Sequence, residues 1–224
     1  MNFTLARMLA ASAVQVNGLQ SPLFGTDWTK DSMRRGYRRR VVVLRTERVV
    51  LRPWQQSDRA PFAELNADPE VMQYFLATLT NEQSDALVDR ITAAFDRQRG
   101  WGLWALEERS TGRFLGFTGL AAVAFTAPFT PATEIGWRLR RDAWGHGYAT
   151  EAAGAALAFA FAADGLELRE LVSFTAEINV RSRAVMQRVG MRYDPTDDFD
   201  HPALPGGHPL RRHVLYRVKR PPSR

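Results

Sequence analysis

The feature that most constrains this chain is a strand that feeds a glycine-rich turn, which in turn feeds a helix. Thr133-Glu134-Ile135-Gly136-Trp137-Arg138-Leu139 has the alternation and aromatic content of a strand. After Arg140-Arg141-Asp142-Ala143 comes Trp144-Gly145-His146-Gly147-Tyr148-Ala149-Thr150-Glu151, which opens an alanine-rich stretch that reads as a helix over residues 148–163. Such a turn can aim successive backbone amides at one anion, and the helix dipole adds about half a positive charge there. The glycines let the main chain approach a pyrophosphate with no Cβ in the way. The segment is therefore a phosphate-binding candidate, although the geometry alone does not name the phosphate. A Walker loop is excluded, because no G-x-x-x-x-G-K-[ST] occurs. A dinucleotide fingerprint is approached by Gly145-x-Gly147 with Glu167 about 20 residues on, but its third small position is Thr150. A plain strand-to-helix turn is the remaining alternative.

The rest of the chain supplies the setting. Two short β-branched runs at 41–44 and 49–51 surround Thr46-Glu47-Arg48. Ser57-Asp58 reads as a helix start, with Phe62 and Leu65 on one face. Thr80-Asn81-Glu82-Gln83 fits a capping box, and the helix behind it carries Leu87, Ile91, Ala94 and Phe95 before Gly100. Strands follow at 101–107 and 113–125 around an Arg109-Ser110-Thr111-Gly112 turn, then at 133–139. A strand at 171–175, a helix at 181–189 and a closing strand at 213–219 complete the order. Strand, two helices, three antiparallel strands, helix, strand, helix, strand is an α+β pattern with a single mixed, mostly antiparallel central sheet flanked by helices.

Trp144-Gly145-His146-Gly147-Tyr148-Ala149-Thr150-Glu151-Ala152 resembles the pyrophosphate signature of GNAT acetyltransferases, [QR]-x-x-G-x-[GA]. Gly147 and Ala149 fill the two small positions, and Trp144 stands where Gln or Arg is usual. The resemblance continues through Thr46-Glu47-Arg48-Val49-Val50-Leu51-Arg52-Pro53, Asp68-Pro69-Glu70-Val71-Met72, Gly116-Phe117-Thr118-Gly119-Leu120 and Asn179-x-x-Ser182 followed by Met186 and Gly190-Met191. It is similar in particular to the branch that acetylates N-terminal amines of ribosomal proteins, the RimJ/RimL-like enzymes. That branch also includes enzymes for small amines and antibiotics.

The resemblance implies an acetyl-CoA-dependent N-acetyltransferase in which an amine attacks the acetyl thioester directly. An α-amine has a pKa of about 7.7–8.0, and a carboxylate near the acceptor would collect its proton. Glu134 matches the position of the family's glutamate base, with an exposed or ion-paired strand glutamate as the alternative. Backbone amides around Trp137 would stabilise the developing oxyanion, and the main chain of Trp137, Arg138 and Leu139 would pair with the pantetheine arm. Trp144, Gly145, His146, Gly147, Tyr148, Ala149 and Thr150 would surround the pyrophosphate. Many relatives carry a tyrosine acid where Met186 stands here, so Ser182 is the remaining candidate donor to the sulfur, with Asn179 on the cofactor amide; both residues also suit a helix cap. Tyr148 reads as packing at the helix start, and Glu151 as a carboxylate favoured by the dipole. A variant of this reading is an acyl-CoA-binding module without catalysis; a dinucleotide oxidoreductase is a third.

Charge and composition narrow the partners. The net charge of +6 sits mostly in residues 1–40, which carry a net +5; residues 41–224 carry a net +1. A groove that tracks phosphates needs its surplus within the domain, so no nucleic-acid partner is expected. Residues 1–40 read as a basic, disordered extension and residues 41–220 as the acetyltransferase domain. No run of 18 apolar residues occurs, so no membrane partner is expected, and a cytoplasmic location is. The resemblance allows a homodimer. There is no cysteine, hence no disulfide and no thiolate metal site. Asp197, Asp198, Asp200, His201, His208 and His213 fit no usual ligand spacing, so no metal is expected. Their proline-rich segment reads instead as a loop beside the acceptor, its acidic run attracting a cationic amine.

Overall fold

In this computed structural model, residues 41–98 and 100–222 are described; the expected N-terminal extension lies outside them. The strands among these residues are β1 (Leu44–Arg45), β2 (Val49–Arg52), β3 (Leu103–Glu108), β4 (Phe114–Ala122), β5 (Thr133–Leu139), β6 (Glu170–Ala176), β7 (Arg192–Tyr193), β8 (Phe199–Asp200) and β9 (Arg212–Lys219). These nine form one sheet in the order β1-β2-β3-β4-β5-β6-β9-β7, with β8 paired to β9. The helices are α1 (Arg59–Ala67), α2 (Asn81–Arg97), α3 (Tyr148–Phe161) and α4 (Val180–Arg188). All neighbouring strands are antiparallel except β5 and β6, which run parallel. The α+β architecture and the mixed sheet expected from the sequence are both present.

The helices form where the sequence places start signals. Thr80 accepts from the Gln83 amide at 3.3 Å and Gln83 returns the contact to the Thr80 amide at 2.9 Å, closing the capping box at the head of α2. Such a cap stabilises a helix by about 1 kcal/mol. Leu87, Val88, Ile91 and Phe95 then recur at helical spacing and are all buried. Together α1 and α2 cover one face of the sheet, where Phe62, Leu65 and Leu87 pack on Ala105, Phe114 and Phe117. The opposite face takes α3, whose buried Ala152, Ala153, Ala156 and Ala160 allow close approach to Leu106, Leu115 and Ile135, and α4 through Met186.

Two features lie outside the elements expected from the sequence. Residues 69–77 form turns and bends. Asp68 ends α1 in an extended conformation, the state favoured before a proline. The two-residue strands β7 and β8 are too short to produce a periodicity, and they exist because β9 offers a long edge.

The decisive feature for function is the divergence of β5 and β6. Their pairing is confined to Glu134 opposite Val172, whereas β4 follows β5 along its whole length from Thr133 to Leu139. Beyond Glu134 the parallel strands part, and the sheet opens.

Candidate active site

The hydrogen-bond parity of β5 decides which groups face this opening. Arg140 donates to the Leu115 carbonyl at 2.9 Å and Val123 donates to Ala132 at 3.0 Å. With the β4–β5 register, these bonds direct the main chains of Glu134, Gly136 and Arg138 toward β4. Ile135, Trp137 and Leu139 point theirs the other way, and past the Glu134 pairing Trp137 and Leu139 find no ladder partner there. The expectation that the main chain from Trp137 to Leu139 is available as an edge is therefore corrected at Arg138, whose amide and carbonyl are spent on β4. It is narrowed at Leu139, whose carbonyl accepts the Trp144 indole N–H at 3.0 Å.

A cavity of about 1160 Å³ passes through the opening. Its lining includes Gly145, His146, Gly147, Tyr148, Ala149 and Thr150 at one end, Ser182, Val185 and Arg188 of α4 alongside, and Tyr74, Phe75, Leu87 and Phe117 on the opposite face of the sheet. It thus connects the glycine turn with the α1–α2 side.

The turn itself is built for an anion. Gly145 and Gly147 adopt φ of +79° and +81°, a left-handed geometry that penalises any side chain. The first helical bond of α3 runs from Glu151 to the Gly147 carbonyl at 3.0 Å. The amides of residues 145–150 donate to no acceptor among the described residues, so a concentrated set of donors faces the cleft at the positive end of a 14-residue helix. Tyr148 is tethered away from the cleft centre: its hydroxyl donates to Glu108 at 2.6 Å, and its ring stacks on His146.

An ion pair invisible in the sequence braces the turn. Arg48 donates from Nε to Glu151 Oε2 at 2.7 Å and from Nη1 to the His146 carbonyl at 2.9 Å. Thr46 donates its hydroxyl, and Arg48 its amide, to Glu151 Oε1 at 2.6 and 2.9 Å. Partial burial would raise the Glu151 pKa, but these hydrogen bonds outweigh it and lower it. Glu151, read from the sequence as a dipole-stabilised carboxylate, is the hub that fastens the β1–β2 turn to the phosphate turn. Trp144 makes a second brace, with the Arg181 guanidinium 4.4 Å above its ring.

Glu134 lies at the point where β5 and β6 separate, opposite Ala121 on β4 and Val172 on β6. It lines the cavity, and no hydrogen bond or ion pair reaches its carboxylate among the described residues. Desolvation in this apolar setting pushes its pKa up to about 8. Asn179 caps α4, accepting from the Ser182 amide at 3.2 Å, while its Nδ2 donates to Thr175 at 2.9 Å. Both Asn179 and Ser182 line the cavity, and the Ser182 hydroxyl carries no internal hydrogen bond among the described residues. Met186 is buried in the core between α4 and α3, where it cannot serve as an acid.

The comparisons agree with this geometry. A family model described as Acetyltransferase (GNAT) domain matches residues 48–192. The chain belongs to the GNAT acetyltransferases. It is 32% identical to an uncharacterized protein, YkkB, of Bacillus subtilis, over 68% of this chain and 87% of that one. It is also 32% identical to the FsC-acetyl coenzyme A-N(2)-transacetylase of Aspergillus fumigatus, over 71% of this chain and 69% of that one. A solved structure of RimL, a ribosomal L7/L12 alpha-N-protein acetyltransferase in complex with coenzyme A, superposes with a TM-score of 0.62 at 18% identity, covering 80% of this chain and 98% of the other.

This GNAT protein is accordingly an acetyl-CoA-dependent N-acetyltransferase, and it acts on an amine. The free amides of residues 145–150, the two left-handed glycines and the open β5 edge fit acetyl-CoA, which would supply the activated acyl thioester. No helix among the described residues is long and apolar enough to cross a membrane. The acidic segment behaves differently from its expected role. Asp197 is paired with Arg217 at 2.6 and 2.9 Å, Asp198 with Arg212 at 3.2 Å, and Asp200 with Arg211 at 2.9 Å. Their charge is neutralised by arginines on or beside β9 and is not available to attract an amine. The loop does reach the acceptor side, because Leu204 and Leu210 pack against Tyr74 of the cavity wall.

Proposed function

We propose that residues 41–220 form the N-acetyltransferase domain and that Glu134 is the general base that takes the proton from the acceptor amine. The observation that carries this reading is a carboxylate with no internal partner, standing where the sheet opens and where one cavity joins the phosphate turn to the acceptor face. A base with a pKa near 8 is matched to an α-amine of about 7.7–8.0, which keeps the transfer close to thermoneutral.

In this reading the amides of Gly145, His146, Gly147, Tyr148, Ala149 and Thr150 hold the pyrophosphate. Trp137 and the Leu139 amide pair with the pantetheine arm, and the Trp137 amide lies where negative charge builds on the acyl oxygen. The Ser182 hydroxyl faces the same cavity and serves as donor to the departing thiolate; Asn179 holds the helix end that carries it. Arg138 contributes its side chain to the acceptor half rather than its main chain to the cofactor.

For the acceptor, the likeness to RimL at the level of fold favours a protein N-terminal α-amine, in a cytoplasmic setting. Calorimetric titration with acetyl-CoA and with CoA, on wild type and Gly147→Trp, tests the cofactor half of the proposal. Tight wild-type binding lost in the variant is expected, followed by acetyl transfer in a screen that begins with peptide N-termini. Binding that survives the substitution would remove the pyrophosphate from this turn.

A further inference from the structure

Arg138 is 5% exposed, on the acceptor side of the sheet, and no carboxylate among the described residues compensates its charge. Its Nη1 donates to the Asn66 side-chain oxygen, and Asn66 in turn donates to Ser84 at 2.9 Å, so a neutral chain from α1 and α2 holds the guanidinium in place. Phe75 and Phe117 stack on it, with ring centroids 4.2 and 5.5 Å from the guanidinium carbon. Nε is buried without a hydrogen-bond partner, and Nη2 has none among the described residues either. A buried cation whose only internal partner is an amide is an expensive arrangement. Desolvation lowers its pKa to about 9, and no neighbouring charge opposes the shift.

The aromatic rings occupy the faces of the guanidinium and Asn66 occupies one edge. Nη2 remains, unpartnered among the described residues and not sealed as Nε is, and its N–H suits a charge-assisted hydrogen bond to a carboxylate. Arg138 lines the same cavity as Glu134. The two residues project from one face of β5, their Cα atoms about 13 Å apart by the rise of a β-strand. Between them Gly136 presents no side chain, and Glu134 Oε1 lies 3.6 Å from where a Cβ on Gly136 would stand, so the carboxylate leans over Gly136 toward the Arg138 end of the strand.

We propose that Arg138 selects an acceptor that carries a carboxylate several bonds away from the amine it presents to Glu134. The proposal rests on the acetyltransferase reading above. An α-amino acid holds its carboxylate too close to its amine to engage both residues. Two sources offer the required chemistry: a small ω-amino acid, and a peptide N-terminus followed by an acidic side chain.

The test uses matched pairs on CoA-loaded protein, read by calorimetry, and on acetyl-CoA, read by turnover. One pair is ε-aminocaproate against ε-aminocaproamide; the other is Ala-Glu-Ala-amide against Ala-Gln-Ala-amide. Wild type is expected to favour the carboxylate member of at least one pair by about tenfold or more, the scale of a charge-assisted hydrogen bond. The pair that shows the preference identifies the source. Arg138→Gln is expected to abolish the preference while acetyl-CoA affinity stays unchanged. Asn66→Asp is expected to abolish it without truncating the arginine, because the new carboxylate supplies an internal counter-ion; this variant answers the question if Arg138→Gln does not fold. No preference in wild type for either pair, in binding or in turnover, overturns the proposal, as does a preference that persists in both variants. Loss of acetyl-CoA binding in wild type would instead overturn the acetyltransferase reading beneath it.

Discussion

Arg48 and Glu151, 103 residues apart in sequence, are joined by two contacts to one carboxylate oxygen, at 2.7 Å from Nε and 2.6 Å from Nη2. The same arginine holds the His146 carbonyl, and an added Cβ on Gly147 would lie 3.4 Å from its Nη2. The pair fixes the phosphate turn from the outside while leaving its amides free on the inside.

Glu151→Gln is expected to weaken acetyl-CoA binding about tenfold, through a loosened turn whose amides no longer converge. Its cost in stability is expected to stay near 1 kcal/mol, since the Arg48 side chain is 47% exposed and solvent screens the pair. Calorimetric titration and a denaturant melt separate the two effects. An unchanged affinity would show that the glycines alone set the turn.

A general base at Glu134, as proposed, predicts a pH signature. With its pKa raised to about 8, the free enzyme's kcat/KM is expected to climb through pH 7 and level off above about 8, and Glu134→Gln is expected to lower the rate by about 10²-fold or more and erase that limb. Stability runs in the opposite sense. The unfolded carboxyl titrates near 4.3, so between about pH 4.3 and 8 the folded state keeps a proton that the unfolded state has released, and stability falls as pH rises. Glu134→Gln is therefore expected to raise Tm more at pH 9 than at pH 5. Equal gains at both would mean that the carboxyl is not desolvated.

His201 and His213 lie side by side with their rings tilted by 45° and centroids 4.9 Å apart, among Phe125, Phe174 and Phe199. Burial, and secondarily the charge of His213, lowers His201 to about 4, and burial lowers His213 as well. Both are neutral in the fold, and the unfolded chain takes up their protons near 6.5. Their contribution is complete above about pH 6.5 and is lost as pH falls toward 4. His201→Phe is expected to flatten the decline of Tm over that window. A decline of unchanged slope would assign the acid lability to other groups.

Arg52 and Asp58 test the α1 side of the site. The guanidinium meets Asp58 at 2.7 and 2.9 Å and Glu107 at 2.6 Å, and the Asp58 side chain is 2% exposed. Asp58→Ala leaves a buried cation half-compensated and frees the Gln55 amide, for an expected loss of about 3 kcal/mol in a denaturant melt. A loss below about 1 kcal/mol would show that Glu107 alone suffices.

The glycine turn was legible in the sequence because its information is local. The preceding strand, two glycines and the first turn of the following helix lie within residues 133–151, and left-handed backbone at Gly145 and Gly147 is a property of those residues themselves. The capping box at Thr80, the buried face of α2 and the position of β5 were readable for the same reason, since periodicity and caps act over one or two turns. The identity of Glu134 as the acidic residue to watch also came from its place on that strand.

What tertiary structure decided is pairing across long separations. That Arg138 turns its main chain to β4 and its guanidinium to Asn66 depends on a hydrogen-bond parity and a neighbour 72 residues away. The acidic run from Asp197 to Asp200 looked free until arginines on and beside β9 were seen to neutralise it. Glu151 looked like a dipole effect until the β1–β2 turn closed on it. A sequence specifies which charges exist, and it specifies helices and turns through short-range sterics. Which charges cancel, and which are left uncompensated beside a cavity, is fixed only when packing brings distant segments within a few ångströms, where electrostatic energy becomes large.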